Sequence, residues 1–187
     1  MIFKSFHAST IKVLKNGGVG VIPTDTIYGI VGSAFNKKTV ERIYKLRQRN
    51  LKKPMIVLFG QISDLKKFGI PLKTKNYNLE SETWPSKTSI VFSAPGAKFR
   101  YLHRGGKTLA FRLPKLKKLR EFLKKTGPLV APSANRQGEP TAKTIRQAQK
   151  YFGSQVNFYI DVGKLSSKPS RLIRITRSGS RVEYPRK

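Results

Sequence analysis

From Gly127 to Ala142 the chain reads GPLVAPSANRQGEPTA. The apolar run Pro128–Ala131 ends abruptly in small and amide side chains: Ser133, Ala134, Asn135, Gln137 and Gly138. A buried strand that opens onto hydroxyls, amides and backbone N–H groups suits an anion held by neutral donors. Three further groups stand, like this one, where a strand or helix should end. In PTDTIYG, Thr24 and Thr26 bracket Asp25 after the apolar strand VGVIP, and Gly29 lets the backbone turn closely. Two hydroxyls and one carboxylate suit a small polar ligand, with Asp25 facing an amine. The same residues also suit an ordinary turn closed by side-chain to backbone bonds.

In RQRNLKKP, Arg47 and Arg49 lie two apart at a helix end, with Lys52 and Lys53 just beyond. Cations there complement the helix dipole. They also make a phosphate clamp, because guanidinium meets phosphate oxygens two at a time. In TLAFRLP, Arg112 interrupts an apolar strand and shares a face with Ala110. A half-buried guanidinium needs an anionic partner. With 9 Asp+Glu in 187 residues, a ligand anion is a reasonable one.

Charge bounds the rest. Against those 9 acids stand 39 Lys+Arg, a formal net charge of +30. Such an excess predicts attraction to polyanions, nucleic acid foremost, with strong salt sensitivity. A general basic bias without a specific partner gives the same composition, and the cations are spread along the whole chain. Two histidines far apart and no cysteine exclude zinc cages, disulfides and a thiol nucleophile. The closest acidic pair, Glu80 and Glu82, reads as a solvated loop. Catalysis here would work by positioning and positive charge. No stretch approaches the roughly 20 apolar residues of a membrane span, and no signal-peptide pattern opens the chain, so a soluble cytoplasmic protein of one domain, residues 1–187, is expected.

The elements that must position these groups follow from periodicity and punctuation. A short helix capped by Ser5 or Ser9 stops at Gly17-Gly18; the strand VGVIP follows. Asn36 caps a helix carrying Val40, Ile43, Tyr44 and Leu46. Pro54 begins the strand PMIVLF, a short helix covers Ile62–Phe68, and residues 69–87 form a long loop. TSIVFSA and TLAFRL are strands separated by the Gly-rich turn RYLHRGG. Leu116, Leu119, Phe122 and Leu123 make a helical stripe ending near Gly127. The strand PLVA comes next, then a helix starting at Thr141 with Ile145, Ala148 and Phe152. VNFYIDVG, RLIRI and RVEY close the chain as strands. Strands alternating with helices predict an α/β layered domain around a mixed sheet.

Taken together, these clusters resemble the YrdC family, the threonylcarbamoyl-AMP synthases also called TsaC. The family pattern PTET-V/I-YG-L is PTDTIYGI here; KGRP…KPL is RQRNLKKPM; WPGP-LT is WPSKTSIVF. A-V-R-V/L-P is AFRLP, and PL-V-S-T-SAN-x-SGEP is PLVAPSANRQGEP. The matches keep the family's order from Pro23 to Thr141, and KPS at 168–170 extends them over most of the chain. The resemblance implies a three-layer α/β fold with a twisted mixed sheet around a basic groove, in a single-domain form without the C-terminal extension domain. It implies condensation of L-threonine, bicarbonate and ATP into threonylcarbamoyl-adenylate and pyrophosphate, for threonylcarbamoyladenosine modification of tRNA completed by other proteins. Arg47, Arg49 and Lys53 would then meet the ATP phosphates, Ser133 and Asn135 the nucleotide, and Thr108 would be a weaker nucleotide contact. Thr141, opening a helix, would add backbone donors for an anion. Thr26, Arg112 and Ala131 match the threonine site, with Arg112 pairing the amino-acid carboxylate. Mg²⁺ is expected from the chemistry, held by phosphates and water.

The chain departs from the pattern at several places. Arg47 replaces a Lys, Asn50 a Pro, and Pro132 the Thr before SAN. WPGP becomes Trp84-Pro85-Ser86-Lys87. Leu58 stands where the family often has His, which would remove one threonine contact. KPSRLIRI replaces PSTIVD. Two other readings stay open: a non-catalytic binder of tRNA or double-stranded RNA on the same fold, and a related adenylate-forming or carbamoyl-transferring enzyme with another amino acid. Against the first, aromatics are not interleaved with the basic runs as a stacking platform requires.

Overall fold

A computed structural model describes residues 1–74, 77–78, 84–94, 96–175 and 181–184. In chain order its elements are β1 (Ile2–Phe3), α1 (Ala8–Lys15), β2 (Gly20–Pro23), β3 (Tyr28–Ser33), α2 (Lys37–Leu46) and β4 (Val57–Leu58). A 3-10 helix at Ile62–Phe68 precedes the short strands β5 (Lys73–Thr74) and β6 (Tyr77–Asn78). There follow β7 (Thr88–Ser93), α3 (Arg100–His103), β8 (Thr108–Arg112), α4 (Lys117–Thr126), β9 (Leu129–Val130), α5 (Ile145–Phe152), β10 (Phe158–Ile160), β11 (Arg171–Ile175) and β12 (Arg181–Tyr184). Ten strands form one mixed sheet in the order β1-β10-β2-β3-β9-β4-β8-β7-β11-β12, and β5 pairs β6 apart from it.

Local chemistry sets most boundaries. The Asn36 side chain accepts from Thr39 N at 3.0 Å and starts α2 where the sequence places it. α4 buries Leu119, Phe122 and Leu123 of its predicted stripe and ends at Gly127, φ +78°, while Leu116 is the exposed residue just before its first turn. Other expectations need correction. α1 is capped by His7, whose Nδ1 accepts from Ser9 N, and not by Ser5 or Ser9. The helix expected from Thr141 begins at Ile145, because the Thr144 hydroxyl caps it by accepting from Gln147 N. Thr141 lies instead outside any helix or strand, and Ala142 N bonds back to Ala134 O. The PMIVLF strand shrinks to Val57–Leu58, the RYLHRGG turn contains α3, and the 69–87 loop holds β5 and β6. Glu80 and Glu82 lie outside the described residues.

Alternation along the strands divides the core in two. One face of the sheet sets Val57, Val130, Phe111, Ile90 and Ile173 against Val40, Ile43 and Tyr44 of α2 and Ile145, Ala148 and Phe152 of α5. On the opposite face, Leu14 of α1 and Leu119, Phe122 and Leu123 of α4 pack on Ile22, Val31, Leu58, Leu129 and Phe158. These are the three expected layers. α1 and α4 cover only part of that second face. Arg112, in register with Leu58 and therefore on its face, lies beyond them with Ala110, and Val91 stands opposite Ala110 on β7. This uncovered strip is the floor of a cleft.

The sheet meets α4 very closely just after β4. A Cβ on Gly60 would come within 2.5 Å of Lys124 N and 2.9 Å of Arg120 O, both backbone atoms of α4. Neither can swing away as a side chain would, so Gly60→Ala forces α4 outward. The expected cost is about 1–3 kcal/mol, read in thermal melting as a fall of roughly 2–4 °C per kcal/mol.

Candidate active site

The cleft has a volume of about 760 Å³, within the range of small-molecule sites. Its cationic wall begins at the end of α2. Arg47, 3% exposed, is the C-cap residue of that helix. Its Nε donates to Asn135 O at 3.0 Å; Nη2 donates to Ser133 Oγ at 3.1 Å and Asn135 Oδ1 at 2.9 Å. Nη1 is buried without a partner among the described residues. Among the described residues no carboxylate pairs with this group. Burial first, and the Arg49 charge second, pull its pKa down from the ordinary value to about 10.

Arg49 curls the next turn of chain upon itself, Nε donating to Lys53 O at 3.0 Å and Nη2 to Pro54 O at 2.9 Å. That uses two of its five N–H donors. Burial lowers its pKa, partly countered by Tyr44. Lys52 and Lys53 stand exposed at the mouth. Gln137 ties the two signature segments together: its N–H donates to Arg47 O at 2.8 Å and its Oε1 accepts from Asn50 N at 2.9 Å.

Asn135 proves to be a brace. Both of its amide protons are taken, by Arg136 O at 2.9 Å and Glu139 O at 2.7 Å, while Oδ1 accepts from Ser133 Oγ at 2.7 Å and from Arg47. It is buried and does not line the cleft. Of the residues in this bonded group, Arg47 and Ser133 line the cleft and Asn135 stands behind them.

At the other wall Thr24 closes the turn, its Oγ1 donating to Ile27 O at 2.7 Å and lying 3.0 Å from Thr26 Oγ1. Arg112 Nη1 donates to Thr26 Oγ1 at 3.2 Å, and Nη2 sits 3.1 Å from Asp25 Oδ1, an ion pair with both side chains buried. Asp25 Oδ2 accepts from Lys115 N at 2.8 Å. Asp25 thus faces a guanidinium, where an amine was expected, and it supplies the partner anion that the scarcity of acids had assigned to a ligand. Arg112 still keeps a buried Nε without a partner among the described residues. Burial lowers its pKa, and Asp25 pulls it back up.

Thr26, Arg47, Arg49, Lys53, Thr108, Arg112, Ala131, Ser133 and Thr141 all line this one cleft. Leu58 does not: it is fully buried under α4, so its replacement of His alters the core and removes nothing from the cleft wall. Sequence reasoning missed Leu172 and Tyr184, floor residues of β11 and β12, and did not see that Ser170 of the KPS run pairs its hydroxyl with Ser89 Oγ at 3.0 Å. Alternating apolar residues in RLIRI and RVEY were the available signal.

Among the described residues no group of three or more His, Asp or Glu could hold a metal, and no helix is long and apolar enough to cross a membrane.

The arrangement has known counterparts. Residues 12–186 match the Sua5/YciO/YrdC family, described as "Telomere recombination". A threonylcarbamoyl-AMP synthase of Nitrosococcus oceani is 29% identical over 174 residues, covering 91% of this chain and 93% of that protein. One from Hahella chejuensis is 30% identical over 170 residues, 89% of this chain and 92% of its own. Among solved structures, P. abyssi Sua5 complexed with L-threonine superposes with a TM-score of 0.82 at 22% identity; the match covers 98% of this chain and 56% of that one. A family match over nearly the whole chain, relatives matched over most of their length and a shared fold lead to one statement: the chain belongs to the Sua5/YciO/YrdC family.

Proposed function

We propose that this chain is an L-threonylcarbamoyl-adenylate synthase, acting on ATP, L-threonine and bicarbonate. One observation carries the reading: two buried guanidinium groups, Arg47 and Arg112, line the same cleft and each retains an unpartnered N–H. Two separate cationic donors suit two anionic groups, a polyphosphate at the Arg47 wall and an amino-acid carboxylate at Arg112.

The threonine amine attacks the carbon of bicarbonate and water leaves, giving a carbamate, whose oxygen attacks the α-phosphorus of ATP as the bond to pyrophosphate breaks. Negative charge grows on the equatorial and leaving oxygens, where fixed cations act most strongly. Arg47, Arg49, Lys52 and Lys53 supply them. Thr26 and Arg112 hold the amino acid, beside Ala131, and Thr108, Ser133 and Thr141 complete the nucleotide side. With no carboxylate among the described residues lining the cleft, these residues offer Mg²⁺ no cage, and the ion would enter as part of Mg–ATP. The product passes to proteins that modify tRNA, and the exposed cations support contact with RNA outside the cleft.

The test is pyrophosphate release by purified protein with ATP, Mg²⁺, bicarbonate and L-threonine, with threonine omitted or replaced by serine. Threonine-dependent release is expected, falling roughly 10²-fold in Arg49→Ala. No release with any amino acid, together with tight salt-sensitive RNA binding, would overturn the reading in favour of a non-catalytic RNA binder.

A further inference from the structure

Tyr44 is buried in α2 and does not line the cleft. Its hydroxyl nevertheless reaches the segment that does. Tyr44 Oη donates to Lys53 O at 3.0 Å, and Arg49 Nε donates to the same oxygen at 3.0 Å. A carbonyl oxygen has two lone pairs, and both are used here. Arg49 N in turn donates to Tyr44 O at 3.0 Å. Between these anchors Gln48 takes a left-handed φ of +49°, uncommon for a residue that carries a side chain. The turn that presents Arg49, Lys52 and Lys53 is therefore tied to α2 through one residue, at both its hydroxyl and its carbonyl.

The ring is clamped as well. The Arg104 guanidinium lies 3.9 Å from the centroid of Tyr44, and its Nη1 sits 2.9 Å from Glu41 Oε1, three positions back on α2. Arg104 Nε and Nη2 are buried without a hydrogen-bond partner among the described residues. Cation against ring face is thus the main contact those two nitrogens have. Arg104 ends α3 with a left-handed φ of +52°, a conformation in which glycine is at ease and arginine is strained. The strain is borne where the side chain locks Tyr44. We propose that Tyr44 is a positioning residue for the cationic wall: its hydroxyl sets the Arg49–Lys53 turn to meet a polyphosphate, and Arg104 holds the ring in place. This rests on the reading of that wall as the phosphate side of the synthase and adds to it the groups that give the wall its shape.

Two measurements test it: inorganic tripolyphosphate titrated calorimetrically into the full chain, and pyrophosphate release with ATP and threonine varied in turn. Tyr44→Phe keeps the packing and removes only the hydroxyl. It is expected to weaken tripolyphosphate and to raise the KM for ATP, each roughly fivefold, with the KM for threonine unchanged. Arg104→Gly also relieves the left-handed strain. It should weaken tripolyphosphate about two- to threefold on its own and add nothing in the Tyr44→Phe background, because it acts through that hydroxyl. Wild-type tripolyphosphate affinity in Tyr44→Phe, or an equal rise in both KM values, overturns the proposal and leaves Tyr44 a core residue. Additive losses in the double variant overturn the part given to Arg104. A wild-type protein that binds tripolyphosphate but releases no pyrophosphate removes the synthase reading, and the calorimetry still decides the role of Tyr44. Wild-type protein that does not bind tripolyphosphate overturns both.

Discussion

Arg47→Met is expected to lower threonine-dependent pyrophosphate release by roughly 10²- to 10³-fold while the melting temperature stays within a few degrees of the wild type's. Two opposing terms set the second half of that statement. A guanidinium whose pKa is drawn down to about 10 is disfavoured as a cation in the fold by about 3 kcal/mol. Its removal relieves that penalty. Against this, Asn135 O loses its donor, which costs about 1–3 kcal/mol for a buried polar group. Ser133 and Asn135 Oδ1 keep their bond to each other. Methionine fills the space without a charge, so stability changes little while the cationic wall of the cleft loses its buried guanidinium. Arg47→Lys keeps the charge with one nitrogen where two are now used, and its activity should fall between the two. Activity and melting measured on the same samples decide the matter. Retained activity in the methionine variant, or a loss that merely follows the unfolded fraction, would show Arg47 to be structural.

The second large effect is at Asp25. Asp25→Ala strands the buried Arg112 guanidinium and also frees Lys115 N. Breaking a buried pair from one side costs about 3–5 kcal/mol, which lowers the melting temperature by roughly 10 °C. Asp25→Asn separates the two roles, because an amide oxygen still accepts from Lys115 N but no longer pairs with Arg112. In that variant the KM for threonine should rise roughly tenfold with the KM for ATP unchanged. Equal changes in both constants would mean that Asp25 serves folding alone.

The legible parts of this protein were those whose causes are local. Asn36 caps α2 by accepting from the backbone N–H three positions on, and the α4 stripe ends at Gly127; both causes lie within a few residues of the effect. The cleft residues were found through short signature runs at strand ends. What remained hidden depends on partners distant in the chain. Arg112 and Asp25 are 87 positions apart, and nothing in either run announces their pairing. Asn135 and Arg47 are 88 apart, so a side chain that reads as a ligand donor proves to be the brace of an arginine. Thr141 and Thr144 are equally good caps in isolation. The bond from Ala142 N to Ala134 O ties the chain after the first back to the SAN segment and leaves the second to start the helix. Tyr184 becomes a floor residue only through the pairing of β12 with β11.

The uncovered half of the sheet also bears on how such a protein can diverge. Each floor residue alternates along its strand with a residue of the opposite core: Ala110 and Arg112 flank Phe111, Val91 follows Ile90, and Leu172 precedes Ile173. The strands are therefore held by packing on the far side, and the near side is left free to vary. A change of floor residue alters what the cleft accepts without disturbing the packing that locates it. Substrate preference can drift across descendants of such a chain while its scaffold stands still.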